Sequence, residues 1–329
     1  MNGMRLWLAR YSGALFALVL FISMFSIYVI KNGGGLRVGL VTAVANKGVL
    51  LALVAMAQTL PVLTAGLDLS VGMIFVLTNC IASAILSGPP WLIAAGIVAV
   101  LLSGVVCGAI NGALVVYGRL QPIIATLATS AVYYGLALTI RPVPGGTIDP
   151  AFAAALTGQL FGVVPTTLVV LLGVVLVVWV PFQLSMTGRG CYAVGSSESA
   201  AYMTGIAVAR SRMAAYMLGG LLAAVSGLLL TAMTLSGDAS VSSGGTYTLS
   251  SIAAVVIGGT SLMGGAGGAI GSIFGAFVLR TVSDLLFVFD IQPLVQPFIQ
   301  GLILLFAVSL GAIRVLRAPS RLQFLGGGR

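Results

Sequence analysis

The chain has 329 residues, 59% hydrophobic and only 6% charged, with a formal net charge of +9. A water-facing globular surface takes about 25% charged residues, so this composition excludes a soluble domain and leaves lipid as the covering solvent. There is no histidine, and the three cysteines (Cys80, Cys107, Cys191) show no CxxC spacing, which removes the usual proton shuttle, a Ser-His triad, a disulfide framework and the common metal sites. The basic residues are scattered between apolar runs, so the positive excess reads as membrane topology rather than as a nucleic-acid patch.

A bilayer-crossing helix needs about 20 mostly apolar residues. Such runs lie at Tyr11–Ile30, Val41–Leu63, Leu69–Leu86, Trp91–Tyr117, Pro122–Ile140, Val163–Val180, Met213–Leu235, Leu249–Met263, Ala269–Phe289 and Leu294–Ile313. No small-residue cleavage site follows the first, which points to a retained helix. A cytoplasmic N-terminus places Arg5, Arg10, Arg119, Arg189, Arg210, Arg212, Arg314, Arg317, Arg321 and Arg329 inside, and only Lys31, Arg37 and Arg141 outside. That bias has the expected sign. The expected fold is therefore an all-α polytopic membrane protein of about ten spans, with both termini cytoplasmic and one transmembrane domain over residues 1–329. Its main cytoplasmic loop covers about 183–212, and residues 141–162 form the long outer segment.

Polar residues interrupt several runs. Asp68 lies between the second and third, where a carboxylate at mid-bilayer would cost about 2.5–3.5 kcal/mol. Asp68 and Ser70 can each cap the third helix, and Asp68 can equally stand beside a polar path. Gln58 donates and accepts as a sugar hydroxyl requires, or bonds between helices. Thr126, Thr129 and Tyr133 share a helical face. That face fits a channel wall, although threonine hydroxyls also bond back to their own helix. Gln58, Asp68, Thr126, Thr129 and Tyr133 are the candidate path residues.

In the cytoplasmic loop, Gly195–Ile206 reads as a short helix. Ser196 or Ser197 is its cap, Glu198 sits in its first turn and Gly205 is its stop. The glycines from Gly258 to Gly268 disfavour a continuous helix. With no GK[ST] after them they are no nucleotide cradle, and close packing or a hinge suits them better. Arg280 and Asp284, four apart on the ninth run, are expected to pair.

Four stretches carry a resemblance: AGLDLSVG at 65–72, QPIIATLAT at 121–129, AVGSSESAAYMTGI at 193–206 and IAAVVIGGTSLMGGAGG at 252–268. Taken in order, they resemble the ribose-type permeases of bacterial ABC sugar importers, relatives of the branched-chain amino-acid permeases. The resemblance implies a multi-pass permease of the bacterial inner membrane. Its implied partners are a second permease subunit, identical or paired, a periplasmic binding protein and a cytoplasmic ATPase that holds the ATP and magnesium. No cofactor is expected in this chain. The resemblance also makes the 193–206 segment an ATPase-coupling helix, with Ser197, Glu198, Ala200, Ala201, Thr204 and Gly205 in that role. One departure stands out: where the family commonly reads ELDAIAA, this chain has Thr248-Leu249-Ser250-Ser251-Ile252-Ala253-Ala254.

The expected function is import of a monosaccharide or similar small polar solute, with no catalytic group in this chain. A permease for a branched-chain amino acid or nucleoside is the alternative. A secondary transporter driven by an ion gradient would need more ionisable groups in its spans than Lys47, Asp68, Arg280 and Asp284 supply. A membrane-embedded enzyme lacks a convincing set of catalytic groups.

Overall fold

A computed structural model of the chain describes residues 3–292, apart from residue 34, and some of those from 294 to 309. Five helices come first: α1 (Gly3–Lys31), α2 (Val38–Leu63), α3 (Val71–Ile85), α4 (Pro90–Val116) and α5 (Pro122–Ile140). The outer segment folds into α6 (Pro150–Thr157), capped by the Asp149 carboxylate on Phe152 N at 2.9 Å. A two-residue antiparallel ladder follows, β1 (Gln159–Leu160) with β2 (Val164–Pro165). Next, α7 (Thr166–Val174), a π-turn (Val175–Trp179) and α8 (Val180–Leu184) run on without a break. The widened turn sits just before Pro181, whose ring has no N–H and crowds the preceding turn of a regular helix. Two short helices, α9 (Met186–Ser196) and α10 (Glu198–Met203), precede α11 (Val208–Thr234), α12 (Val241–Ile257) and α13 (Ala269–Val288).

Among the described residues, seven helices are long and apolar enough to cross a bilayer, and α3 and the Gly244–Ile257 part of α12 are shorter apolar helices. Nine of the ten expected runs thus have a helix. The tenth, Leu294–Ile313, and the arginines after it fall largely outside the described residues. The eighth run is displaced. Expected at Leu249–Met263, its helix spans Val241–Ile257, because Gly259, Gly264, Gly265 and Gly267 all take positive φ and a helix cannot continue through them.

The connections sort to two ends. At the basic end, Gly13 packs on Gly258 and Gly259, and Leu63 meets Gly195 and Gly265. At the far end, Arg141 donates to Ser83 Oγ (2.9 Å) and Ser83 O (2.7 Å). There Gly145 and Gly237 also exchange backbone bonds of 3.0 and 2.8 Å, and the Lys31 ammonium lies 5.7 Å from the Phe289 ring centre.

The bundle is built around α2, whose residues from Val49 to Leu63 are all buried and which packs on α3, α11, α12 and α13. The most extensive helix pair is α4 with α11. In α4, Gly104, Gly108 and Gly112 recur every four residues and form one smooth ridge. A Cβ on Gly104 would strike Gly220 O, and one on Gly108 would strike Tyr216 O. The opposite face of α4, with Val98, Leu102, Val106 and Ile110, is exposed and suits lipid. Gly108→Val should therefore lower the melting temperature of the detergent-purified chain by an amount equivalent to about 1–3 kcal/mol of overpacking. Gly135→Val, in α5 where nothing lies within 4 Å of an added Cβ, is the control and should melt near the wild type.

Candidate functional site

The polypeptide between α2 and α3 does not stay at the basic end. After Thr64 and Ala65 it runs extended through residues 66–68, and α3 begins only at Val71. Gly72 packs against Gly244 and Thr248 of α12. Thr248 lies nine residues before Ile257, about 14 Å along a helix. The crossover therefore dips into the bundle and carries non-helical backbone to membrane depth, where each N–H and C=O must find a partner in the protein.

Side chains from three helices supply those partners. With its amide turned so that both groups are satisfied, Gln58 pairs with both backbone groups of Asp68: its nitrogen donates to the carbonyl at 2.8 Å and its oxygen accepts from the N–H at 3.3 Å. Thr126 Oγ1 accepts from Leu69 N at 3.0 Å and donates to Pro122 O at 2.8 Å. Asp68 Oδ1 accepts from Ser70 N (2.8 Å) and Ser70 Oγ (2.6 Å). Thr248 Oγ1 accepts from Gly72 N at 3.1 Å.

This corrects the expected capping. The N-cap residue Ser70 makes no side-chain cap bond; its hydroxyl goes to Asp68, and Asp68 turns back on Ser70 rather than onto the first turn of α3. The cap comes from Thr248 on α12. Sequence spacing cannot reveal a cap supplied from 176 residues away.

Asn111 of α4 joins the crossover to α5. Its Nδ2 donates to Ser70 Oγ (2.7 Å) and lies 3.3 Å from Asp68 Oδ2, while its Oδ1 accepts from Thr129 at 2.7 Å. The Tyr133 hydroxyl stands 2.9 Å from Cys107 O and 3.1 Å from Asn111 Oδ1. All five candidate path residues thus fall in one buried network, none more than 6% exposed. Asn111 is the member that sequence reasoning missed; its one signal was an amide alone in a Gly- and Ala-rich helix. Beside Gly66, the buried Tyr216 hydroxyl has no partner among the described residues.

The second site is the loop at the basic end. Ser197, not Ser196, caps α10 by accepting from Ala200 N at 3.4 Å, Glu198 stands in the first turn, and Gly205 turns the chain with φ +78. Arg212 grips Glu198 with two bonds of 2.8 and 2.6 Å, tying α10 to α11. Ala201 is buried against the protein, whereas Tyr202 and Met203 stand 76% and 86% exposed. The outward apolar residues are therefore two that the sequence pattern did not single out. Burial pushes the Cys191 thiol of α9 up to about 12, so it is no reactive thiolate.

The glycine-rich stretch is folded down rather than open. Thr260 Oγ1 accepts from Gly268 N at 3.1 Å, Gly265 N donates to Leu63 O at 3.1 Å, and Tyr192 donates to Gly267 O at 3.0 Å. A Cβ on Gly195 would meet Leu63 O and Gly265 N, and one on Gly264 would meet Ala65 N and Gly195 Cα. Three of the resembling stretches, distant in sequence, therefore close on one another here. A cavity of about 520 Å³ opens beside them, lined among others by Ser12, Trp179, Gln183 and Tyr192; no candidate path residue faces it.

The expected Arg280–Asp284 pair is not formed. Asp284 Oδ1 accepts from Lys47 of α2 at 3.1 Å, and Arg280 Nε is buried with no partner among the described residues. Both acidic positions of the departure from ELDAIAA find other work: Thr248 caps α3, and Ser250 lines a cavity with Arg280.

Replacing Asn111 by Leu leaves Ser70, Thr129 and Asp68 each short of a partner and should cost about 1–3 kcal/mol of stability. Thr129→Val, which removes one hydroxyl shared between Asn111 Oδ1 and Thr126 O, should cost less. Thermal unfolding of the purified chain checks the order; equal melting of both with the wild type would contradict the network.

The comparisons with known proteins agree with this architecture. Residues 40–308 match the family described as branched-chain amino acid transport system / permease component. The ribose import permease RbsC of Haemophilus influenzae is 36% identical over 264 residues, covering 78% of this chain and 80% of that protein. RbsC of Bacillus subtilis is 36% identical over 263 residues, with coverage of 78% and 80%. The fructose import permease FrcC of Rhizobium meliloti is 33% identical over 307 residues, 89% of this chain and 83% of its own. No solved structure matches the chain. On the family match over most of its length and on these identities, the chain belongs to the ribose-type branch of the branched-chain amino-acid transport permease family, and it is a multi-pass membrane protein.

Proposed function

We propose that this chain is the membrane-spanning subunit of an ATP-driven importer. It takes a monosaccharide or similar small polar solute from a periplasmic binding protein and releases it into the cytoplasm by alternating access. The names of its relatives, import permeases for ribose, fructose and allose, favour a sugar over an amino acid or nucleoside. ATP and magnesium belong to a separate ATPase on the cytoplasmic face of the bacterial inner membrane, and a second permease subunit, identical or paired, completes the path.

The observation that carries this reading is the contact line from α10 inward. The helix is short, capped and exposed at Tyr202 and Met203, and the Glu198–Arg212 fork ties it to α11. The preceding α9 meets the end of α2 and the glycine loop at Gly195, and the buried crossover begins immediately beyond Leu63. A displacement applied to α10 by an ATPase therefore reaches the Gln58–Asp68–Asn111 network through close-packed backbone, which transmits movement because it cannot be compressed. In this account Ser197, Ala200, Thr204 and Gly205 shape the coupling helix, and Ala201 seats it. Gln58, Asp68, Thr126, Thr129 and Tyr133 hold the path wall, whose tilt opens one side or the other.

Two measurements test it. Glu198→Arg should reduce ATP-dependent sugar uptake at least about tenfold, a loss of about 1.4 kcal/mol of coupling, with the complex still assembled. Adding Arg212→Glu should restore part of that uptake by remaking the pair; uptake unchanged by the single variant would remove α10 from the coupling role. Among Gln58→Ala, Asp68→Asn, Thr126→Val, Thr129→Val and Tyr133→Phe, several should lower uptake without loss of assembly. Wild-type uptake in all five would sink the path assignment.

A further inference from the structure

Arg280 of α13 makes no ion pair among the described residues. It lies about 16 Å along the helix from Ala269 and about 12 Å from Val288, near mid-membrane, where an arginine costs about 2.5–3.5 kcal/mol unless it faces a polar cavity or a partner. The ion pairs among the described residues are Lys47–Asp284 and Arg212–Glu198. Asp284, one turn on, gives Oδ1 to Lys47 and keeps a buried Oδ2 with no partner among the described residues, so one carboxylate stands against two cations.

What Arg280 does face is a cavity of about 80 Å³, bounded by the hydroxyl residues Thr246, Tyr247 and Ser250 of α12 and Ser283 of α13, with Leu51 and Leu279 as its apolar walls. No carboxylate lines it. Hydroxyls donate or accept, whereas a guanidinium only donates, through a planar fork shaped for two oxygens. The space is that of about two or three water molecules, enough for an acid group but too little for a whole hexose. Thr246 is exposed, so the cavity opens sideways from α12. A polar mouth of that kind is costly against lipid and suits a wet path.

We propose that this cavity binds a carboxylate, and that the solute drawn past it is a sugar acid, a polyhydroxylated small molecule carrying one acid group. The sugar rests on the importer reading above; the carboxylate site rests on the cavity alone. The guanidinium receives both carboxylate oxygens, the hydroxyls of α12 complete the shell, and the remaining hydroxyls of the solute stay in the path.

Calorimetric titration of the detergent-purified full chain with D-gluconate, and with D-glucose as its neutral counterpart, tests the site. Gluconate should bind at least about tenfold more tightly than glucose, as a charge-assisted contact predicts. Arg280→Gln should remove that preference and leave glucose binding as it was. Ser250→Asp keeps the arginine and places a carboxylate in the cavity, so it should abolish gluconate preference even if Arg280→Gln proves unstable. Equal binding of gluconate and glucose by the wild type, or gluconate preference that survives in Ser250→Asp, would overturn the proposal. ATP-driven uptake is read separately: failure of all sugar uptake with Arg280-dependent gluconate binding intact would overturn the importer reading and leave the carboxylate site standing.

Discussion

Backbone N–H and C=O groups cannot be left bare in hydrocarbon, and in this fold that constraint falls on the residues between Leu63 and Val71. A helix satisfies its own backbone; a re-entrant crossover cannot. The bundle answers with Gln58 on one side and Thr126 on another, each bonding a backbone group of the crossover directly, and with Thr248 on a third, capping the first turn of α3 where the crossover ends. Asn111 then ties Ser70 to Thr129. The depth to which the crossover dips, the shortness of α3 and the packing of α12 on α3 all follow from that one arrangement.

Close approach of backbones is its counterpart. Gly104 and Gly108 bring α4 onto α11, Gly72 and Gly244 bring α3 onto α12, and Gly258 and Gly271 bring the end of α12 onto α13. Without a hydrophobic drive between helices in lipid, such contacts carry much of the association. In the proposed importer, the packing of Gly195 on Leu63 and Gly265 joins α9 to the end of α2 and so to the polar network.

Much of this was legible in the sequence, for identifiable reasons. Apolar runs announce membrane helices by composition alone, and nine found their helices among the described residues. Polar residues inside apolar runs are conspicuous, so Gln58, Asp68, Thr126, Thr129 and Tyr133 could be named, and Ser197, Glu198 and Gly205 obeyed local capping rules. What failed was non-local. Arg280 and Asp284 have ideal spacing for a pair, yet Lys47, 237 residues away in sequence, takes the carboxylate. Ser70 looks like a cap, but its cap is on α12. Asn111 gives only the signal of an amide alone in a Gly- and Ala-rich helix, because its partners lie on two other elements. The exposure of Tyr202 and Met203 on α10 was not legible either, since six residues do not define a face until the helix is docked.

The departure at Thr248 and Ser250 links the two halves of the account: one hydroxyl completes the buried crossover, the other lines the cavity under Arg280. Both follow from how α12 sits against α3 and α13, and so from the crossover itself. The most direct measurement is amide hydrogen exchange on the purified chain. Residues 66–70 lie outside any helix, yet the account predicts that the bonded amides of Gly66, Asp68, Leu69 and Ser70 exchange as slowly as those in the middle of α11. Exchange as fast as in the exposed Thr204–Ala207 turn would contradict the buried, bonded crossover on which the rest depends.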